Sequence, residues 1–226
     1  MVLMPSNEPV RVPVTDPSPS QVRLMESAER LVGRFGLEGA SSRAITRDAG
    51  HRNHSAIAYY FGSREGLLDS LYHWRSAPIN AHRARMIDEL VEAGEEHDAR
   101  ALVRAFVVPY VTAIEALAPS SWARFNVAVL AQHPLVFMDD VTRDIKRYND
   151  IDVPLSTTLR LFAMMREVAC DGREPVAGLR VAIVARSINA NLAAWETGVE
   201  AGHLDQVPLW DLADEAIHLG TMALSV

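Results

Sequence analysis

Residues 41–66 read SSRAITRDAGHRNHSAIAYYFGSREG, and this stretch decides the fold. Three helix stops and three helix starts fall within it, the density of a helix-turn-helix. Gly50 can take the left-handed conformation that closes a short helix over 42–49. Asn53 is positioned to cap a second helix from His54 to Phe61, which ends at Gly62. Ser63 reopens the chain as a third helix, with Arg64 and Glu65 in its first turn.

The turn between the first two of these helices is too short for a long antiparallel contact, so they must cross steeply. Ile45, Ala49, Ile57 and Phe61 are the residues that would hold the crossing. Ile57, Tyr60 and Phe61 share helical spacing and can face inward, which leaves Arg52, Asn53, His54, Ser55, Ala56 and Tyr59 toward the front end and outer side. Small, amide, hydroxyl and aromatic groups in that mixture suit a major groove, where side chains reach base edges and phosphates. Ser41, Ser42 and Arg43 at the preceding helix start, and Tyr60 and Arg64 at the far end, complete the candidate DNA contacts. A plain helical hairpin with a polar face has the same pattern.

The stretch resembles the DNA-binding head of the TetR family of bacterial transcriptional regulators. Tyr59-Tyr60-Phe61-Gly62-Ser63-Arg64-Glu65-Gly66-Leu67 is similar to the end of that family's recognition helix and the turn after it, and Ser41, Ile45, Ala49 and Gly50 match its second helix. The likeness covers roughly residues 20–72. His51 stands where the family usually has Val, and Ala58 where many members have a phosphate-contacting Tyr, a role carried over here to Tyr59. Arg64 replaces the commoner Lys and keeps a cation near the backbone. The resemblance implies a cytoplasmic homodimer that reads a palindromic operator in double-stranded DNA, a repressor released by a hydrophobic small molecule bound in the C-terminal body. It implies no enzymatic activity, and no cofactor is expected.

Composition sets the outer bounds. The chain has 226 residues, 49% hydrophobic and 7% aromatic, with a mean hydropathy of +0.01: a globular composition, long enough to bury a full core. No run of about 18 apolar residues exists to span a membrane, and the first 20 residues lack the basic and apolar regions of a secretory signal. Cys170 is the only cysteine and Lys146 the only lysine; a single thiol excludes an internal disulfide and fits a reducing compartment. The net charge of −7 argues against indiscriminate nucleic-acid binding. It is unevenly spread: residues 20–66 hold seven Arg against five acids, whereas residues 67–226 hold 14 basic against 22 acidic residues. A mildly positive head on an acidic body can orient the molecule on DNA.

Taken in order, the chain reads as all-α with three parts. Residues 1–17 are Pro-rich and are expected to form a disordered arm. Residues 18–66 form the helix-turn-helix domain, opened by Ser18, Pro19 and Gln21 as a capping box, with Leu24, Ala28, Leu31, Val32 and Phe35 as the apolar stripe of a first helix that ends at Gly36. Arg23, Arg30 and Arg34 on that helix read as solvated or ion-paired. Residues 67–226 form a helical ligand-binding and dimerisation body. Its leading helix carries Leu67, Leu68, Leu71 and Tyr72 and is expected to kink or break near Ala77, before Pro78. Further helices are expected over 98–118, 120–133, 134–149, 154–169, 176–202 and 209–224.

The last two helices would pair with their symmetry mates as a four-helix interface. Val181, Val184, Ala185, Ile188, Leu192, Trp195 and Val199 make one stripe of it, and Leu212, Ala216 and Gly220 the other, although an internal core fits the same stripe. A two-fold dimer would read two half-sites about 34 to 36 Å apart. Candidate walls of an effector cleft are Phe106, Tyr110, Trp122, Phe125, Asn126, His133, Phe137, Met138, Phe162 and Met165, with Met164 and Trp195 beside them.

Two rival readings have residues of their own. Asp139-Asp140-Val141-Thr142-Arg143-Asp144 is similar to the aspartate-rich motif of helical isoprenoid synthases, where carboxylates hold magnesium and a diphosphate. The companion motif is missing: after Asn149-Asp150, Val153 and Thr157 stand where a hydroxyl and a carboxylate are needed. His51 and His54 could share a metal but lack a third ligand nearby. An interaction protein without DNA affinity is the other alternative.

Overall fold

The computed structural model describes residues 16–53, 55–132, 156–170, 174–203 and 207–225, and every regular element among them is an α-helix. In chain order these are α1 (Pro19–Gly39), α2 (Ser42–Asp48), α3 (Ala56–Phe61), α4 (Arg64–Ala93), α5 (Ala99–Ala116), α6 (Trp122–Leu130), α7 (Ser156–Ala169), α8 (Glu174–Glu200) and α9 (Leu209–Leu224). Most of the N-terminal arm and the helix expected over 134–149 lie outside the described residues.

α1 opens on the expected capping box: the Gln21 amide donates to Ser18 Oγ at 3.4 Å, and the Ser18 amide donates to Gln21 Oε1 at 3.0 Å. Gly36 does interrupt the helix, at φ +72, but one more turn follows it to Gly39. Leu24, Met25, Ala28 and Val32 form the buried stripe. Phe35, expected on that stripe, is instead 56% exposed under the Arg34 guanidinium, since the break at Gly36 ends the packing face one turn earlier.

Ser41 caps α2 by accepting from the Ala44 amide at 3.2 Å. Gly50, at φ +73, turns the chain so that the His51 amide donates to the Thr46 carbonyl at 3.0 Å, the bond pattern of a left-handed helix ending. α3 begins two residues later than expected. Asn53 does not cap it; Asn53 Oδ1 accepts from the Ser55 amide at 3.0 Å and from Ser55 Oγ at 2.7 Å and orders the turn ahead of the helix. Ile45, Ala49, Ile57 and Phe61 are buried together at the crossing. From the α1 side, Ser27 donates to the Ile45 carbonyl or to Asp48 Oδ2, and Arg30 pairs with that same carboxylate oxygen at 2.7 Å.

Gly62 ends α3 at φ +78, and Ser63 caps α4 through the Gly66 amide at 3.0 Å. The backbone here is so close that a Cβ at Gly66 would lie 2.3 Å from the Phe61 carbonyl oxygen, which gives the Phe-Gly-Ser-Arg-Glu-Gly run its physical reason. α4 then runs for 30 residues without a break, Pro78 included, contrary to the expected interruption. An interior proline forfeits one hydrogen bond and costs about 3 kcal/mol. Burial of Leu67, Leu68, Leu71, Ile79 and Ile87 along one helix that packs on α1, α3, α5 and α7 outweighs that cost.

The body is built by α5 packing on α4 and α9, and α6 packing on α8, around Leu102, Val107, Ile114, Phe125, Leu161 and Met165. α1 crosses α6 at close range: a Cβ at Gly33 would stand 3.1 Å from Arg124 Cβ and 3.3 Å from the Ser121 carbonyl oxygen. α6 has no side-chain cap of its own. Its leading amides are taken by acids from two other helices: Ser121 donates to Glu29 of α1 at 3.3 Å, and Ala123 and Arg124 donate to Glu196 of α8 at 3.1 and 3.0 Å. Arg124 adds ion pairs to Glu196 and Glu200, and Glu200 also meets Arg34 of α1 at 4.0 Å.

Candidate nucleic-acid interface and body cavity

Burial of Ile57 and Phe61 turns the opposite side of α3 to solvent. Arg52, Asn53, Ser55 and Ala58 are exposed there, and Tyr59 is 81% exposed. Ser41 and Arg43 are exposed at the start of α2, with Ser42 half-buried beside them. Tyr60 is half-buried, its ring edge-on to Tyr59 at 4.8 Å and to His51 at 6.4 Å. His51 Nε2 is buried with no hydrogen-bond partner among the described residues, the polar substitute for the apolar contact noted from the sequence. His54 lies outside the described residues.

Two of the candidate contacts need correction. Ala56 is buried: it is the first residue of α3 and joins Ile57 in the core at the crossing. Arg64 does not extend its cation outward: Nε donates to the Ala40 carbonyl at 2.9 Å and Nη2 donates to the Leu37 carbonyl, so the guanidinium ties the start of α4 to the end of α1. Those partners are 24 and 27 residues away and left no local signal.

In the body, Phe106, Tyr110, Trp122, Asn126 and Phe162 do converge on one cavity of about 90 Å³ between α4, α5, α6, α7 and α8. Phe125 and Met165 do not line it; both are fully buried core, Phe125 stacked on Trp122 at 5.3 Å. Trp195 is elsewhere, donating from Nε1 to the Val207 carbonyl at 3.0 Å. His133, Phe137 and Met138 lie outside the described residues, as does Asp139–Asp144. The sequence reading named Tyr110 and Asn126 but missed the rest of the polar wall: Ser76, Asn80 and Arg83 of α4, Thr158 of α7, and Arg186 and Asn189 of α8. The first three recur at helical spacing inside an otherwise apolar helix face, and that was the available signal.

Arg83 is buried at the centre of that wall. Its Nη1 donates to Asn80 Oδ1 at 2.7 Å and to Thr158 Oγ1 at 2.8 Å, while Nε and Nη2 make longer bonds to the Ala105 and Phe106 carbonyls at 3.3 and 3.4 Å. Burial lowers its pKa to about 10, so it remains a cation at neutral pH. Burial pushes the Tyr72 phenol up to about 12 and the Tyr110 phenol well above its ordinary value, so both are neutral donors. A larger and more open groove of about 590 Å³ runs between α4 and α7, past Ala84, Val91, Arg160 and Met164. Its charged groups, Glu96, Arg160 and Glu167, are of both signs. Among the described residues, no three His, Cys, Asp or Glu side chains stand together as a metal site, and no helix is long and apolar enough to cross a membrane.

The apolar stripes of the last two helices also need correction. Val181, Val184, Ala185, Ile188 and Leu192 are buried in the chain's own core, and Gly220 packs on Val103 and Val184. Leu212, Ala216 and Trp195 are partly buried against that core. What α8 and α9 expose is the neighbouring face. Ile183, one residue before Val184, is 50% exposed; Leu219, one residue before Gly220, is 55% exposed, and Met222 is exposed one turn on. Val199, expected on the inner stripe, is also exposed.

No protein-family model matches the chain, and no curated protein does. Among solved structures it is similar to a protein of unknown function from Rhodococcus sp. RHA1, 19% identical, with 96% of this chain and 100% of that chain covered and a TM-score of 0.43. A likeness of that degree carries no argument about function.

Proposed function

We propose that the chain is a TetR-type transcriptional regulator: a cytoplasmic homodimer that binds a palindromic duplex through α2 and α3 and is released from it by a small molecule in the body cavity. The observation that carries this reading is the presentation of α3. Ile45, Ala49, Ile57 and Phe61 hold it from one side, and Arg52, Asn53, Ser55 and Tyr59 stand clear on the other. A side chain that reaches base edges must be exposed on an ordered element, and this one lies between the left-handed turns at Gly50, which ends α2, and Gly62, which ends α3.

The route from cavity to head is short. Trp122 and Asn126 of α6 line the cavity, and the residue before Trp122 is Ser121, whose amide is held by Glu29 of α1. A ligand that shifts Trp122 therefore acts on the helix that clamps α2. To release DNA strongly, its preference between the two head positions must approach a few kcal/mol. Dimerisation is supported by the exposed Ile183, Leu219 and Met222, which lie beside the packed Val184–Gly220 contact.

Selection of bound fragments from random duplex, followed by a salt-dependent mobility-shift assay, tests the proposal. A palindrome bound by two copies is the expected result. Binding that shows no sequence preference, or none at all at low salt, would leave an interaction protein in its place.

A further inference from the structure

Resting on the reading of the body cavity as the effector site, we infer that its occupant is a compact carboxylic acid with a small branched apolar body, its carboxylate received by Arg83 and the Tyr110 hydroxyl. The walls supply hydrogen-bond donors in excess. Tyr110 Oη and Trp122 Nε1 are both buried without a partner among the described residues, and both residues line the cavity. Orphaned donors in a dry site are costly, and an acceptor brought in by a ligand removes that cost.

The charge balance points the same way. Arg83 and Arg186 are the charged residues of the described lining, and no Asp or Glu is among them. Among the described residues Arg83 is satisfied by neutral oxygens, two of them at long range, and has no ion pair. A buried cation without a counter-ion favours an anion over a neutral acceptor of the same shape. The remaining walls are apolar and aromatic: Ile79, Leu130, Phe106 and Phe162, the last two with ring centroids 5.3 Å apart. A cavity of about 90 Å³ suits a small molecule rather than a drug-sized one, for which roughly 300 Å³ or more is usual.

Titration calorimetry of the full chain, without DNA, tests the assignment with isobutyrate and isovalerate, their amides isobutyramide and isovaleramide, and inorganic phosphate. The acids are expected to bind at least about tenfold tighter than the amides, the difference between a charged and a neutral acceptor. Tyr110→Phe removes a hydroxyl that makes no bond among the described residues, so it is expected to keep the thermal midpoint and weaken the acids about tenfold. Arg83→Gln is expected to abolish the preference for acids over amides, and Arg83→Lys to retain part of it. Amides binding as well as acids, phosphate binding without either acid, or no heat from any acid at millimolar concentration would overturn the assignment. Operator release is measured separately on the same samples: acids that bind without releasing DNA refute the regulatory reading and leave the anion site standing.

Discussion

The Glu29 carboxylate of α1 joins two helices of the body at once, accepting from Arg75 Nε of α4 at 2.7 Å and from the Ser121 amide at the start of α6 at 3.3 Å. Both side chains of the ion pair are almost wholly removed from water, and the Arg75 guanidinium also lies over the Trp74 ring at 4.1 Å. Glu29→Ala would strand a buried guanidinium and a helix-start amide. It should cost about 3 to 5 kcal/mol, read as a lower urea midpoint, while Glu29→Met combined with Arg75→Met should recover much of the loss. A single variant as stable as the parent chain would contradict this account of how head and body are joined.

Gly66 offers a test of sign. Replacing a helical glycine by alanine in open space stabilises by up to about 1 kcal/mol. Here the added Cβ would stand 2.3 Å from the Phe61 carbonyl oxygen, a backbone atom that cannot swing away. Gly66→Ala is therefore expected to destabilise by about 1 to 3 kcal/mol, with a lower thermal midpoint as the measurement. A midpoint that rises would mean that the α3–α4 turn is looser than described.

The proposed recognition surface separates binding from stability. Tyr59 is largely exposed, with its ring edge-on to Tyr60, so Tyr59→Ala should change stability by less than about 0.5 kcal/mol and still weaken operator binding by about 1 kcal/mol or more. Arg52→Ala should weaken all sequences similarly and lower the salt slope by about one. Undiminished affinity in both variants would remove this face from the interface.

Association can be probed on the exposed rather than the inner face of the last two helices. Leu219→Glu with Met222→Glu places charge where α9 is open to solvent, so the helical content of the chain should survive. Sedimentation at micromolar concentration should change from dimer to monomer. A double variant that still sediments as a dimer would move the interface elsewhere.

Glu196 predicts a pH dependence of definite sign. Burial raises its pKa above the ordinary 4.5, and the bonds from Ser120, Arg124 and Ala123 recover only part of that shift. The folded chain thus holds this proton more tightly than the unfolded chain does. The stabilisation is complete below the ordinary value and is lost as pH rises through the raised folded value. Relative to Glu196→Gln, the parent chain should lose stability from about pH 4.5 upward until Glu196 is fully ionised. Denaturation midpoints of the two proteins across that window check it, and a difference that grows with pH would reverse the sign.

The head was legible in the sequence because its determinants act over a few residues. Ser18 and Gln21 cap each other three apart, and Gly50 and Gly62 are needed wherever the backbone turns left-handed at a helix end. Periodicity found Ile45, Ala49, Ile57 and Phe61 for the same reason. Even there, Ala56 lies on the inner rather than the outer side: it stands about 100° from Ile57 about the helix axis, at the edge of the apolar stripe, where spacing alone does not choose a side.

By itself, then, the sequence determined an all-helical chain and the helix-turn-helix at its front, through caps, glycines and apolar spacing that need only neighbours along the backbone. Tertiary structure alone decided which face of α8 is core, since both faces carry apolar residues and only packing on α6, α7 and α9 chooses between them. It also decided that α4 continues through Pro78, that Arg64 reaches back to Leu37 and Ala40, and that α6 is capped from Glu29 and Glu196, 92 and 73 residues away. Each of these joins groups that chain connectivity leaves far apart, and only burial in a shared core fixes which of them meet.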